Sequence, residues 1–168
     1  MADGSTALQP FQMSSAPIIL SWIESAEELW NWTARKDFPL QNVDVFSEWH
    51  ADPDVTPWEY IVEGELIGYG ELWCKPDEPW AELGRIVIAP SRRGGGHGRS
   101  LVRALIDRVQ QRGFPEAWVR VRAENHVALA SYSKAGFVRV SVDCEAELNA
   151  NQPTPYVWLR HNFVNPVT

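Results

Sequence analysis

The stretch RIVIAPSRRGGGHGRSLVRALIDRV, residues 85–109, constrains this chain more than any other. Trp80 to Ala89 reads as a strand that ends at Pro90. Leu101, Leu105 and Val109 then recur at helical spacing, with Val102 and Ile106 beside them, so a helix is expected over 99–112. Between the two lies a turn rich in glycine, Arg93 to Gly98. At a helix start the first backbone N–H groups have no intrahelical partner and carry partial positive charge. A phosphate group fits there, and glycine lets it approach the backbone without a Cβ in the way. Arg92, Arg93 and Arg99 add positive charge at this point of a chain whose net charge is −7.

Two other phosphate-binding patterns fail. A P-loop ends Gly-Lys-Ser/Thr, whereas this turn ends Gly98-Arg99-Ser100. The dinucleotide fingerprint needs a third glycine three residues after its second. The frame from Gly94 meets Arg99 there, and the frame from Gly96 meets Leu101.

The remaining segments alternate between strand and helix signals. Residues 17–23 (PIILSWI) read as a first strand. Ser25 and Glu28 form a capping-box pattern for a helix to about Arg35. Val43 to His50 reads as a short helix. Trp58 to Val62 and Glu65 to Trp73 flank Glu63-Gly64 as a hairpin. In Ala117 to Ala123, Val119 and Val121 alternate with Trp118, Arg120 and Arg122. Asn125 can cap a helix that Gly136 stops. Phe137 to Val142 and Tyr156 to His161 read as the last strands. The fold class is therefore α/β or α+β with a mixed sheet. Residues 1–15 are expected to be a disordered tail, and residues 16–168 a single domain.

Two segments together carry a family resemblance. Arg93-Gly94-Gly95-Gly96-His97-Gly98 matches Gln/Arg-x-x-Gly-x-Gly/Ala between a strand and a helix. Asn125, Ala128, Tyr132 and Gly136-Phe137 match Asn-x-x-Ala-x-x-x-Tyr-x-x-x-Gly-Phe. The chain thus resembles the GNAT superfamily of N-acetyltransferases over roughly residues 58–140. The resemblance implies a central, mostly antiparallel sheet with flanking helices, and acetyl-coenzyme A as acyl donor. It implies that Arg93, Gly94, Gly95, Gly96, His97, Gly98 and Arg99 hold the coenzyme's pyrophosphate, with Asn125 and Lys134 as further contacts. Ile86, Val87 and Ile88 would offer backbone groups to the pantetheine arm, as in strand addition. A homodimer covering a C-terminal edge strand is a further expectation.

Acetyl transfer requires an amine that has lost its proton, and a departing thiolate gains from a proton donor. Glu82 lies 93 − 82 = 11 positions before Arg93, where one branch of the family carries its base, and it would act through a water. Glu71 on the neighbouring strand is the alternative base. By the same resemblance Tyr132 is the acid for the thiolate. A longer acyl-coenzyme A, or a non-catalytic acyl-coenzyme A sensor, remain alternatives.

The acceptor is expected to be a small-molecule or peptide amine. Phe38, Trp49, Trp58, Trp73 and Tyr156 are candidate walls for it, because aromatic faces hold cations. The acidic balance argues against a nucleic-acid partner and weakly favours a cationic one. Cys74 and Cys144 read as reduced thiols, consistent with a cytoplasmic location. No Cys/His cluster has metal-ligand spacing, so no metal is expected. No apolar run is long enough for a membrane span.

Overall fold

In the computed structural model, residues 5–163 are described. The seven strands are β1 Thr6–Pro10, β2 Val55–Val62, β3 Glu65–Trp73, β4 Trp80–Ile88, β5 Glu116–Val121, β6 Val138–Arg139 and β7 Val157–Asn162. The helices are α1 Ala16–Ser21, α2 Ala26–Thr33, α3 Asp44–His50, α4 His97–Gln111, α5 His126–Lys134 and α6 Val142–Asn149. The strands form one sheet in the order β1-β2-β3-β4-β5-β7-β6. Among the described residues only the β4–β5 pair is parallel.

Alternation along the central strands gives the sheet two buried faces. One face packs on α4, through Leu72, Leu83, Val119, Leu101 and Leu105. Gly68 and Gly70 of β3 admit α4 closely: a Cβ at Gly70 would stand 2.9 Å from Leu105, and one at Gly68 3.1 Å from Leu101. The other face packs on α1, α2 and α3, through Tyr69, Val87, Ile19, Leu29 and Phe46. The sheet is thus a middle layer between helices, as the two interleaved periodicities lead one to expect.

Local signals read correctly where turn and cap chemistry is unambiguous. Ser25 caps α2, its side chain accepting from the Glu28 N–H at 3.1 Å. Glu63 and Gly64 both have positive φ, 51° and 79°, as the tight β2–β3 hairpin requires. Asn125 caps α5, accepting from Ala128 N–H.

Three expectations are corrected. Residues 17–23 belong mainly to helix α1, not to a strand. Pro17 stands in its first turn, where a missing N–H costs nothing, and an apolar run of this length fits either state. The expected disordered tail contains β1 and a 3-10 turn at Met13–Ser15. Edge strand β1 is largely exposed, so it shows no apolar alternation. The buried carboxylate of Glu59 holds its end, accepting from the Gln9 side chain at 2.9 Å and the Gln12 N–H at 3.0 Å. Residues 1–4 of that expected tail lie outside the described residues. Third, the strand expected over 137–142 shrinks to Val138–Arg139, and α6 follows. Ser141 caps that helix by accepting from Cys144 N–H, and Asp143 and Glu145 favour its N-terminal turn. Among the described residues no helix is long and apolar enough to cross a membrane.

Candidate active site

Strands β4 and β5 pair only from Trp80 to Glu82, against Glu116 to Trp118. Beyond Glu82 the two part: β5 continues to pair with β7 as far as Val121, while β4 continues with β3 to Ile88. The β5-facing edge of Leu83 to Ile88 therefore has no strand partner, which leaves a cleft in the middle of the sheet with Glu82 at its closed end. Ile86, Val87 and Ile88 lie along that edge.

The open end of the cleft leads to the glycine turn. Gly94 and Gly96 have φ of 82° and 84°, a conformation that disfavours any other residue. Gly96 is the N-cap of α4, and from Gly94 onward the first N–H with a backbone acceptor is that of Ser100, bonded to Gly96 at 3.1 Å. A Cβ at Gly94 or Gly96 would meet nothing within 4 Å, so both face open space. Such a row of free donors at a helix start fits a pyrophosphate. The Arg93 side chain is engaged within the chain. Its guanidinium bonds Ile88 O at 3.0 Å, Trp22 O at 3.2 Å and Glu28 at 2.7 Å, tying the turn to the end of β4 and to α2. Arg99 is exposed in the first turn of α4 and His97 half-exposed beside it. Lys134 is exposed at the far end of α5, and Asn125 accepts its capping bond through Oδ1.

The face of the sheet opposite α4 carries the polar groups. Here the β3–β4 register sets Tyr69, Glu71 and Trp73 against Val87, Gly84 and Glu82. Arg85 and Ile86 together oppose one residue of β3, a β-bulge in which Arg85 has φ of 43°. The bulge lets Arg85 reach this face, where it bonds Glu71 at 2.6 Å. Glu71 is fully buried and also accepts from Tyr69 at 2.5 Å and Trp73 at 2.7 Å. His50 stands 3.6 Å away and bonds the Tyr69 hydroxyl. Burial alone would raise the Glu71 carboxyl, but the His50 contact, the Arg85 charge and the other donors outweigh it and hold it below the usual range. Both Glu71 oxygens are thus engaged, and Glu71 is the hub of a buried network.

Glu82 differs. It lines a cavity of about 270 Å³ with Trp30, Trp32, Trp73, Arg120 and Tyr156, and Glu71 does not. Both Glu82 oxygens bond Arg120, at 2.5 and 2.9 Å. Burial nevertheless dominates and raises its carboxyl above the ordinary range, with Arg120 opposing. Tyr132, on α5, packs against Phe137 at a centroid distance of 5.7 Å. Its phenol is pushed up by burial and, secondarily, by the negative charge of Glu82.

Of the expected aromatic walls, Trp73 and Tyr156 line the cavity. Trp49 lies one layer back, stacked on Arg85 at 4.3 Å. Trp58 is on the α4 side of the sheet, under Arg108, and Phe38 does not line the cavity. Sequence reasoning missed Trp30, Trp32, Arg85 and Arg120 as parts of this wall. The alternation of Trp118, Arg120 and Arg122 in β5 was the available signal: charged residues on a central strand need a buried purpose. Among the described residues no group of three or more His, Cys, Asp or Glu is placed to hold a metal ion.

Residues 23–137 match the model of the acetyltransferase (GNAT) family. Over 96 residues the chain is 33% identical to mycothiol acetyltransferase of Streptomyces coelicolor, covering 55% of this chain and 31% of that protein. Over 79 residues it is 37% identical to the [ribosomal protein bS18]-alanine N-acetyltransferase of Escherichia coli, covering 47% and 52%. The chain thus spans about half, or less, of the length of these curated relatives. Among solved structures, the aminoglycoside acetyltransferase AAC(6')-Ib in complex with coenzyme A superposes with a TM-score of 0.73. That likeness covers 95% of both chains at 20% identity and shows the fold alone. With its family model spanning both the cleft and the glycine turn, the chain belongs to the acetyltransferase (GNAT) family.

Proposed function

We propose that this chain is an N-acetyltransferase that carries the acetyl group of acetyl-coenzyme A to an amine. The observation that carries this reading is the β4–β5 cleft, with free N–H donors at one end and Glu82 at the other. Acetyl-coenzyme A supplies the activated acyl group as a thioester. The backbone of Gly94 to Arg99 holds its pyrophosphate, and the unpaired edge of Ile86 to Ile88 bonds its amide arm.

The acceptor amine enters from the cavity under Trp30, Trp73 and Tyr156. Glu82 takes its proton, directly or through one water. The raised carboxyl makes Glu82 a better base than an exposed glutamate, and Arg120 fixes its orientation. Tyr132 stays protonated throughout the working range and gives its proton to the departing sulfur.

The test is release of free coenzyme A from acetyl-coenzyme A across a panel of amines, with mass detection of the N-acetyl product. Amine-dependent release supports the reading. Tight acetyl-coenzyme A binding without release on any amine would make the chain a binding module instead.

A further inference from the structure

The cavity beside Glu82 is a positive region of an acidic chain. Among its lining residues Glu82 is the one carboxylate, and Arg85 and Arg120 line it as well. Arg120 takes both oxygens of Glu82, and Arg85 is matched by Glu71 behind the wall. Two more cations stand over the Trp30 ring, Lys36 Nζ at 5.1 Å and the Arg122 guanidinium at 4.0 Å. Neither has an ion-pair partner among the described residues. The pairs Arg35–Asp37 and Lys75–Glu78, close by in sequence, cancel within themselves. Arg85, Arg120, Arg122 and Lys36 thus stand against Glu71 and Glu82, an excess of two positive charges. Charges act through space, so the cations over Trp30 need not touch an acceptor to be felt by it.

The aromatic walls are already occupied by the same cations. Trp73 has Arg85 over it at 5.1 Å and Arg120 at 5.3 Å. Tyr156 has Arg120 at 5.7 Å and Arg122 at 5.8 Å. A ring that already faces a guanidinium gains little from a further cation, because the two cations repel. Two indole N–H groups are spent as well: Trp32 donates to Arg85 O at 2.8 Å, and Trp73 to Glu71 at 2.7 Å. What these rings still offer a ligand is surface for a flat, uncharged group.

The charge also bears on the amine itself. Positive surroundings favour the neutral form of a bound amine, which is the form that attacks a thioester. One amine group meets that condition by giving its proton to Glu82. A second ammonium on the same molecule finds no free carboxylate in the cavity. At about 270 Å³ the cavity lies just below the roughly 300–1,000 Å³ of sites that take drug-sized ligands, so the acceptor is small. A short diamine therefore keeps its second charge close to the wall.

We propose that the acceptors are small monoamines with an uncharged aromatic body, and that the cations around the cavity exclude diamines and polyamines. This rests on the acetyl-transfer reading above. The amine lies toward Glu82, and the ring of the acceptor lies against Trp30, Trp73 and Tyr156. The acidity of the whole chain does not extend to this cavity.

The experiment compares matched acceptors at one pH. Pentylamine and 1,4-diaminobutane have the same number of heavy atoms and differ by one charge. Pentylamine should be favoured by roughly tenfold or more in kcat/KM. Phenethylamine and 2-cyclohexylethylamine differ in flatness, and phenethylamine should be favoured roughly two- to tenfold. A preference missing from either pair overturns the inference and leaves acetyl transfer standing. Lys36→Glu reverses an exposed charge over Trp30. It should raise kcat/KM for 1,4-diaminobutane roughly threefold or more at low ionic strength and leave pentylamine unchanged. Discrimination that Lys36→Glu does not move also overturns the inference.

Calorimetry reads the cavity without turnover. With coenzyme A present, N-acetylphenethylamine should bind more tightly than N-acetyl-1,4-diaminobutane, by roughly tenfold or more. Equal binding of the two, or binding of neither, overturns the inference even if no amine in the panel is acetylated. Discrimination in binding without any acetylation would instead remove the acetyl-transfer reading and keep the charge selection of the cavity.

Discussion

Glu82 and Arg120 close the inner end of the β4–β5 cleft, joined by two hydrogen bonds of 2.5 and 2.9 Å. The pair sits where the two strands stop sharing hydrogen bonds. The same geometry that opens the sheet therefore positions the carboxylate at the opening. Because burial raises Glu82 and Arg120 opposes it, the pair sets the pH at which the carboxyl ionises.

That relation gives a signed pH prediction. The acid limb of kcat/KM for wild type should lie above the ordinary glutamate range. Arg120→Met removes the main opposing influence, so the limb should move to still higher pH. A pH–rate profile with one preferred amine checks this. An acid limb that stays in place would show that Glu82 is not the group titrating. Breaking a buried pair is also costly, about 3–5 kcal/mol, so urea unfolding must accompany the kinetics.

Glu71 makes the opposite prediction. Its carboxyl is held below the unfolded value by His50, Arg85, Tyr69 and Trp73. The folded state therefore binds fewer protons at this site than the unfolded chain. The resulting stability is present above the ordinary glutamate range and is lost as pH falls through the lowered folded value. Glu71→Gln should cost about 3–5 kcal/mol at neutral pH, since Arg85 loses its partner. It should also flatten the acid side of the stability profile. Chemical unfolding at neutral and acid pH checks both effects.

Glu71 and Glu82 also show what the sequence could and could not reveal. Both stand on neighbouring strands near the glycine turn, and nothing local separates the two. Their partners and the cavity separate them, and those depend on Arg85 and Arg120, distant in sequence. The glycine turn, the helix α4 and the Asn125 cap were legible because each rests on local backbone chemistry. The β-bulge at Arg85 was not, because register belongs to a pair of strands and not to one. The strand β1 was hidden because an edge strand needs no apolar alternation. Trp30 and Trp32 looked like ordinary helix aromatics until α2 was laid across the cleft.

Gly84 supports the cavity wall. A Cβ there would fall 2.3 Å from the Trp73 ring. Gly84→Ala must therefore displace the indole and its 2.7 Å bond to Glu71. Overpacking of this kind costs typically about 1–3 kcal/mol. We expect a lowered melting temperature and a changed tryptophan near-ultraviolet circular dichroism. An unchanged spectrum would show that Trp73 does not rest on Gly84 in solution.

Gly96 tests the phosphate turn. Gly96→Glu puts a carboxylate beside the free N–H groups that start α4, and a side chain at φ of 84°. The backbone penalty is modest, about 1–2 kcal/mol. The loss of acetyl-coenzyme A affinity should be much larger, because the carboxylate competes with and repels the pyrophosphate. Calorimetry measures it, and affinity like that of wild type would remove the turn from the binding site.

Tyr132 tests the acid. Tyr132→Phe keeps the ring against Phe137 and removes only the hydroxyl, so folding and coenzyme affinity should change little. Burial and the Glu82 charge keep that hydroxyl protonated, so it is available as a donor wherever Glu82 is ionised. If it protonates the departing sulfur, the chemical step should slow by ~10²–10⁴-fold. Single-turnover rates must be used, since slow product release can conceal a loss in chemistry. The loss should also depend on the leaving group: a coenzyme analogue with a more acidic thiol needs less protonation and should narrow the gap. An unchanged chemical step would reduce Tyr132 to a packing residue of α5. A rate loss matched by an equal loss of coenzyme affinity would make the hydroxyl a binding contact.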